Sequence, residues 1–163
     1  MRLLILSIWV ILGVVVQSTW LASLLPMQFT PDLVLIMTIS YGLLRGPNQG
    51  LLFGMGAGFF VDLLSGNIIG IRALSKMIAG FCSGFMEKNI FKDNLLVPAL
   101  AVFIGTIVCE TFNLFMFTAF KMNIGIWFKL LEILPLACLN AIVAPVIYHF
   151  FLRIERFLAE RAK

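Results

Sequence analysis

Apolar residues in this chain neither alternate nor recur singly; they run in long blocks broken by short polar stretches. From Leu3 to Pro31 no residue is charged over 29 positions. Further apolar blocks occupy about 31–44, 47–64, 67–85, 95–120 and 124–152, separated by Arg45-Gly46-Pro47, by Ser65-Gly66, by the charged stretch 87–94 and by Lys121. A helix that crosses the hydrocarbon core of a bilayer needs about 20 mostly apolar residues. The pattern therefore predicts an all-α polytopic membrane protein with six transmembrane helices, the first over about 3–25 and the others over the blocks just given. Residues 1–163 read as one integral membrane domain that ends in a basic segment, 153–163. The second block is short for a full crossing, so it must borrow from residues 27–30, tilt little, or stop within the membrane.

Composition removes the competing classes. Hydrophobic residues make up 61% of the chain and charged residues 12%, with a mean hydropathy of +1.06. A soluble domain carries roughly 25% charged residues, so this chain has too little polar side chain to cover a water-facing surface. The N-terminal apolar run exceeds the ~7–15 residues of a signal-peptide core and lacks small residues at a cleavage pattern. It reads as a retained first helix.

Charge then sets an orientation. With six crossings, Arg2, Arg45, Lys88, Lys92, Arg153, Arg156, Arg161 and Lys163 collect on the side that holds both termini. Arg72, Lys76, Lys121 and Lys129 are what the opposite side can claim. The excess of Lys and Arg predicts cytoplasmic termini. The net charge of +4 needs no nucleic acid to explain it, because the basic segment 153–163 lies where anionic lipid headgroups attract Lys and Arg.

Catalytic patterns are missing. Cys82, Cys109 and Cys138 are far apart in apolar segments, and with the single His149 they supply no metal-ligand spacing. The stretch Gly54-Met55-Gly56-Ala57-Gly58 lacks the closing glycine of a dinucleotide loop, since Phe59 follows, and no Gly-Lys-Ser/Thr comes after it. No serine stands in a hydrolase motif. An enzyme is not expected, nor a metal or cofactor.

What the sequence offers instead is a set of small and charged residues inside the apolar blocks. Gly46, Gly50, Gly54 and Gly58 recur every fourth position and Asp62 takes the next step, Gly46 itself falling in the turn at Arg45. Residues so spaced share one helix face, and small side chains there admit a second helix closely, from the same chain or from another protein. An uncompensated charge at mid-bilayer costs roughly 2.5–3.5 kcal/mol on insertion scales. Asp62 is accordingly expected to pair with Arg72 or Lys76, either as a latch between the third and fourth helices or as part of a partner site. Thr30, Pro31 and Asp32 read as N-cap, first and second residues of the second helix, with the carboxylate complementing the helix dipole. Thr106, Glu110 and Asn113 form a polar stripe on the fifth helix that must face the bundle or a wet cavity, and Asn140 on the sixth is a candidate hydrogen-bond partner for Glu110. Lys129 and Glu132, three apart, are positioned to pair, and Pro135 and Pro145 to kink the last helix.

The ordered set Pro31-Asp32-Leu33, Arg45-Gly46, Gly50, Gly54, Gly58, Asp62, Gly66, Gly70 and Ala73-Leu74 resembles the rod shape-determining protein MreD family. The resemblance implies a non-enzymatic scaffold subunit of the elongation machinery in the bacterial cytoplasmic membrane. Its implied partners are MreC, then MreB filaments, RodA and a class B penicillin-binding protein, with a role in cell shape and peptidoglycan synthesis. It also implies a fold similar to the six-helix substrate-binding subunits of energy-coupling-factor vitamin transporters. Such a transporter subunit is the alternative function, with Glu110, Asn113 and Asn140 as pocket residues. Against it, the first block holds one alanine, Ala22, and besides it only Gly13, where those subunits carry a small-residue Ala-x-x-x-Ala pattern for docking to their coupling protein.

Overall fold

The computed structural model describes residues 11–15, 17, 30–66, 68–86, 96–120 and 125–160, the last six by backbone alone. Among these residues the structure is helical and contains no strand. Helix α1 is described over 11–15. It is followed by α2 (Leu33–Arg45), α3 (Pro47–Ser65), α4 (Ile71–Phe85), α5 (Leu96–Ala119) and α6 (Ile126–Glu160). Most of the first expected span, the loop at 87–95 and Lys121 lie outside the described residues.

Helix α2 is the axis of the bundle. It is apolar on every side, which suits a helix enclosed on every side, and each residue from Val34 to Leu43 is buried. It packs against α3, α4, α5 and α6. Its 13 residues extend about 20 Å at 1.5 Å per residue, short of the hydrocarbon thickness of about 30 Å. The brevity visible in the sequence has its physical reason here, since a helix surrounded by protein does not have to match the thickness of lipid.

Helices α3 and α4 form an antiparallel pair joined by a tight turn in which Gly66 (φ 64°) and Gly70 (φ 109°) occupy the left-handed region that disfavours any side chain. The start of α4 falls at Ile71, four residues later than the apolar block suggested, because those positions are spent on this turn. The longest helices, α5 and α6, are laid against each other and against α2. Both are long and apolar enough to cross a membrane, over Leu96–Ala119 and Ile126–Ile154. Pro135 and Pro145 sit within α6 without ending it. The helix also continues past Leu152 to Glu160, so the basic segment begins as an extension of the last helix.

The outer surface is apolar to a degree that water would not tolerate. On α5, Leu96, Leu100, Ile104 and Val108 form a fourfold-spaced row, each more than half exposed. Leu52, Met55, Phe59 and Leu63 on α3, and Trp127, Leu131, Leu134, Ile142 and Val146 on α6, are exposed too. Contiguous apolar surface of this extent belongs against lipid or another protein. The polar side chains Thr38, Asp62, Ser75, Lys76, Thr106, Asn113 and Asn140 are turned inward and buried. The bundle is apolar outside and polar at selected places within.

Candidate functional site

Two kinds of contact hold the interior, and the residues singled out in the sequence divide between them. The first is the seam between α3 and α4. A methyl group added to Gly50 would collide with the Gly80 carbonyl and with Gly42 Cα, at 2.8 Å from the latter. One on Gly54 would strike the Lys76 backbone, and one on Gly58 would lie 2.5 Å from Ala73 Cα. The backbones therefore touch where the side chains are missing, which in lipid is a principal source of helix association. The glycine ladder of α3 is used inside the chain, and α4 answers it with Gly80 and Gly84, the latter seated on Gly46 and Pro47. Neither Gly80 nor Gly84 was singled out, although their spacing of four repeats that of the α3 ladder and could have marked them.

Asp62, at the end of the ladder, does something other than pair with Arg72 or Lys76. Its Oδ2 accepts hydrogen bonds from the backbone N–H groups of Gly70 (2.8 Å) and Ala73 (3.1 Å). It thus satisfies N–H groups at the start of α4, which lack partners within the helix and carry its positive dipole end. Arg72 turns instead to the Ser65 hydroxyl. The expected charge pair does not form: Asp62 takes backbone donors, and the Lys76 ammonium goes to Asp32 instead.

The second contact is a polar junction where α2, α4, α5 and α6 meet. Helix α2 begins two residues later than Thr30-Pro31-Asp32 suggested, with Asp32 itself as N-cap: its Oδ1 accepts from the N–H of Leu35 at 2.9 Å. The other carboxylate oxygen takes the ammonium of Lys76, in an ion pair whose lysine is buried, 2% exposed, and whose aspartate is half-buried. Capping decides the register, because a carboxylate reaches the N–H three residues on only from the cap position. The Asp32 N–H donates to Asn140 Oδ1 (3.0 Å), Asn140 Nδ2 donates to Thr106 Oγ1 (3.1 Å), and the Thr106 hydroxyl donates to the Val102 carbonyl (2.8 Å). Asn140 therefore serves Thr106 and Asp32 rather than Glu110. Nearby, Cys109 Sγ donates to the Ser75 carbonyl at 3.4 Å. Four helices are tied at one place by groups up to 108 residues apart in sequence.

The expected polar stripe of α5 is thereby split. Thr106 enters the junction, whereas Glu110 and Asn113, further along the same face, open onto a cleft of about 430 Å³ that also reaches Gln17, Arg72 and Lys129. Lys129 pairs with Glu132 at 3.3 Å. Cys82 and Cys138 lie exposed and Cys109 buried, all as free thiols. Among the described residues no group of His, Cys, Asp and Glu is placed to hold a metal ion.

Helices sheathed in apolar side chains, with Asp32, Asp62 and Lys76 capping or pairing inside, define a helical membrane protein. The model of one known family, described as rod shape-determining protein MreD, matches residues 1–158. The chain belongs to that family, a family of membrane proteins that act in rod shape determination and are not known as enzymes. Neither a curated protein nor a solved structure matches the chain.

Proposed function

We propose that this chain is the non-enzymatic membrane scaffold of the elongation complex, crossing the bacterial cytoplasmic membrane six times with both termini in the cytoplasm. In this role it binds MreC, operates beside MreB, RodA and a class B penicillin-binding protein, and supports peptidoglycan synthesis along the cell wall. The observation that carries the reading is the way the polar groups are spent. Asp32, Lys76, Asn140 and Thr106 bond one another, and Asp62 caps a helix. These groups fix a shape instead of presenting a nucleophile and its base. A rigid bundle with an apolar outer surface acts through the proteins and lipids it holds. Gly50, Gly54 and Gly58 of α3 are taken up by α4, so in this reading MreC meets another surface of the bundle.

The test is affinity purification of the tagged chain in mild detergent, with every co-purifying protein identified by mass spectrometry. Recovery of MreC, a single-pass protein with a periplasmic domain, is the expected result. Recovery of an ATPase pair with a coupling membrane protein would replace the scaffold by a transporter subunit.

A further inference from the structure

The cleft beside the polar junction is built from unlike charges that do not meet. Arg72 and Glu110 both line it, yet among the described residues no ion pair or hydrogen bond joins them. Glu110 makes no hydrogen bond at all there. Two amides point the same way. Asn113, 6% exposed, and Gln17 both line the cleft, and each has a buried side-chain oxygen without a hydrogen-bond partner among the described residues. Buried polar atoms are nearly always satisfied, and leaving one unmade costs its full desolvation. Asp32 also borders the cleft but is already neutralised by Lys76. The cleft therefore presents a carboxylate and two amide oxygens that need donors, and a guanidinium with N–H groups to give. Lys129, shared with Glu132, adds a second cation at the rim.

Position and shape narrow the ligand further. Leu114 and Phe117, in the last turns of α5, and Ile133 and Leu136, in the early turns of α6, supply apolar walls. The cleft thus opens near helix ends, where headgroups meet hydrocarbon, and its volume of about 430 Å³ lies within the roughly 300–1,000 Å³ of small-ligand sites. We infer that the cleft binds the headgroup of a zwitterionic aminophospholipid. The primary ammonium bonds Glu110, Gln17 and Asn113, the phosphate meets Arg72 with Lys129 beyond it, and the acyl chains leave along Leu114, Phe117, Ile133 and Leu136. Phosphatidylglycerol can offer the amide oxygens only neutral hydroxyls and brings no cation to offset Glu110. A quaternary ammonium has no N–H to offer them.

Purified full-length protein in detergent, titrated with dihexanoyl phosphatidylethanolamine and followed by native mass spectrometry, tests this without any variant. Binding roughly tenfold or more tighter than that of dihexanoyl phosphatidylglycerol or phosphatidylcholine is expected, as for two or more charge-assisted hydrogen bonds. Glu110→Gln should remove the preference over phosphatidylcholine, and Arg72→Gln should weaken all three lipids. Equal binding of the three lipids by the unaltered protein would overturn the inference, as would an unchanged preference in Glu110→Gln. Free phosphoethanolamine that binds as tightly as the lipid would overturn the lipid assignment and identify a water-soluble aminophosphate ligand. All of these readouts are independent of whether MreC co-purifies.

Discussion

The α3–α4 seam and the four-helix polar junction lie side by side along α4 and hold the bundle by opposite means. At the seam the contact exists because side chains are absent: Gly50 against Gly80, Gly54 against the Lys76 backbone, Gly58 against Ala73. At the junction it exists because long or branched polar groups reach one another across the bundle, Lys76 to Asp32 and Asn140 to both Thr106 and the Asp32 backbone. Lys76 belongs to both, giving its backbone to the seam and its ammonium to the junction. A seam of this kind is intolerant of added volume, whereas a junction of this kind is intolerant of lost partners.

Substitutions separate the two behaviours, and the largest effect is expected where a charge loses its partner. Lys76→Met keeps most of the side-chain volume but leaves the half-buried Asp32 without its counter-ion. It should cost about 3–5 kcal/mol, seen as a large drop in the unfolding midpoint in detergent. Adding Asp32→Asn to that variant should recover part of the loss, since no orphan charge then remains. Gly50→Ala adds only a methyl group, yet that group has no room, and overpacking should cost about 1–3 kcal/mol in the same measurement. Asp62→Ala frees the N–H groups of Gly70 and Ala73 and should cost about 0.5–2 kcal/mol, the usual range for a lost helix cap. Gly56→Ala serves as the control within the same helix. No described residue lies within 4 Å of its would-be methyl group, so stability should hold or rise by up to about 1 kcal/mol through helix propensity. If Gly50→Ala and Gly56→Ala behaved alike, the close approach of α3 to α4 would not be the source of stability at the seam.

How much of this could be read from the sequence follows the same division. The seam was legible on its α3 side because glycines at a spacing of four share one helix face, whatever they meet. Its α4 side carried the same signal in Gly80 and Gly84. The boundaries of α3 and α5 followed block length closely, Pro47–Ser65 against 47–64 and Leu96–Ala119 against 95–120. The junction was not legible as a unit. Lys76 pairs with Asp32 across 44 residues, whereas proximity in sequence favoured Asp62. Nothing local distinguishes the two carboxylates. Both accept from backbone N–H groups, Asp32 from Leu35 and Asp62 from Gly70 and Ala73, and the ammonium goes to the one that the packing of the bundle sets beside it, which spacing along the chain does not show. Glu110 and Asn113 were recognisable as inward-facing, but that Thr106 bonds Asn140 while they line the cleft is decided by packing between helices, which spacing within one helix does not show.

Helix α2 also has a consequence for how the protein is made. A segment delivered to the membrane one helix at a time is partitioned by its own fit to lipid. A 13-residue helix offers too little length for that, and it begins at a carboxylate whose counter-ion, Lys76, has not yet been synthesised. Its entry must therefore be a joint event with the helices that follow, α3 and α4, whose arrival supplies both the enclosing surface and the missing cation. Chains released before residue 76 should leave α2 outside the hydrocarbon, while chains released after α4 should hold it there. For this bundle, order of synthesis and order of burial do not coincide.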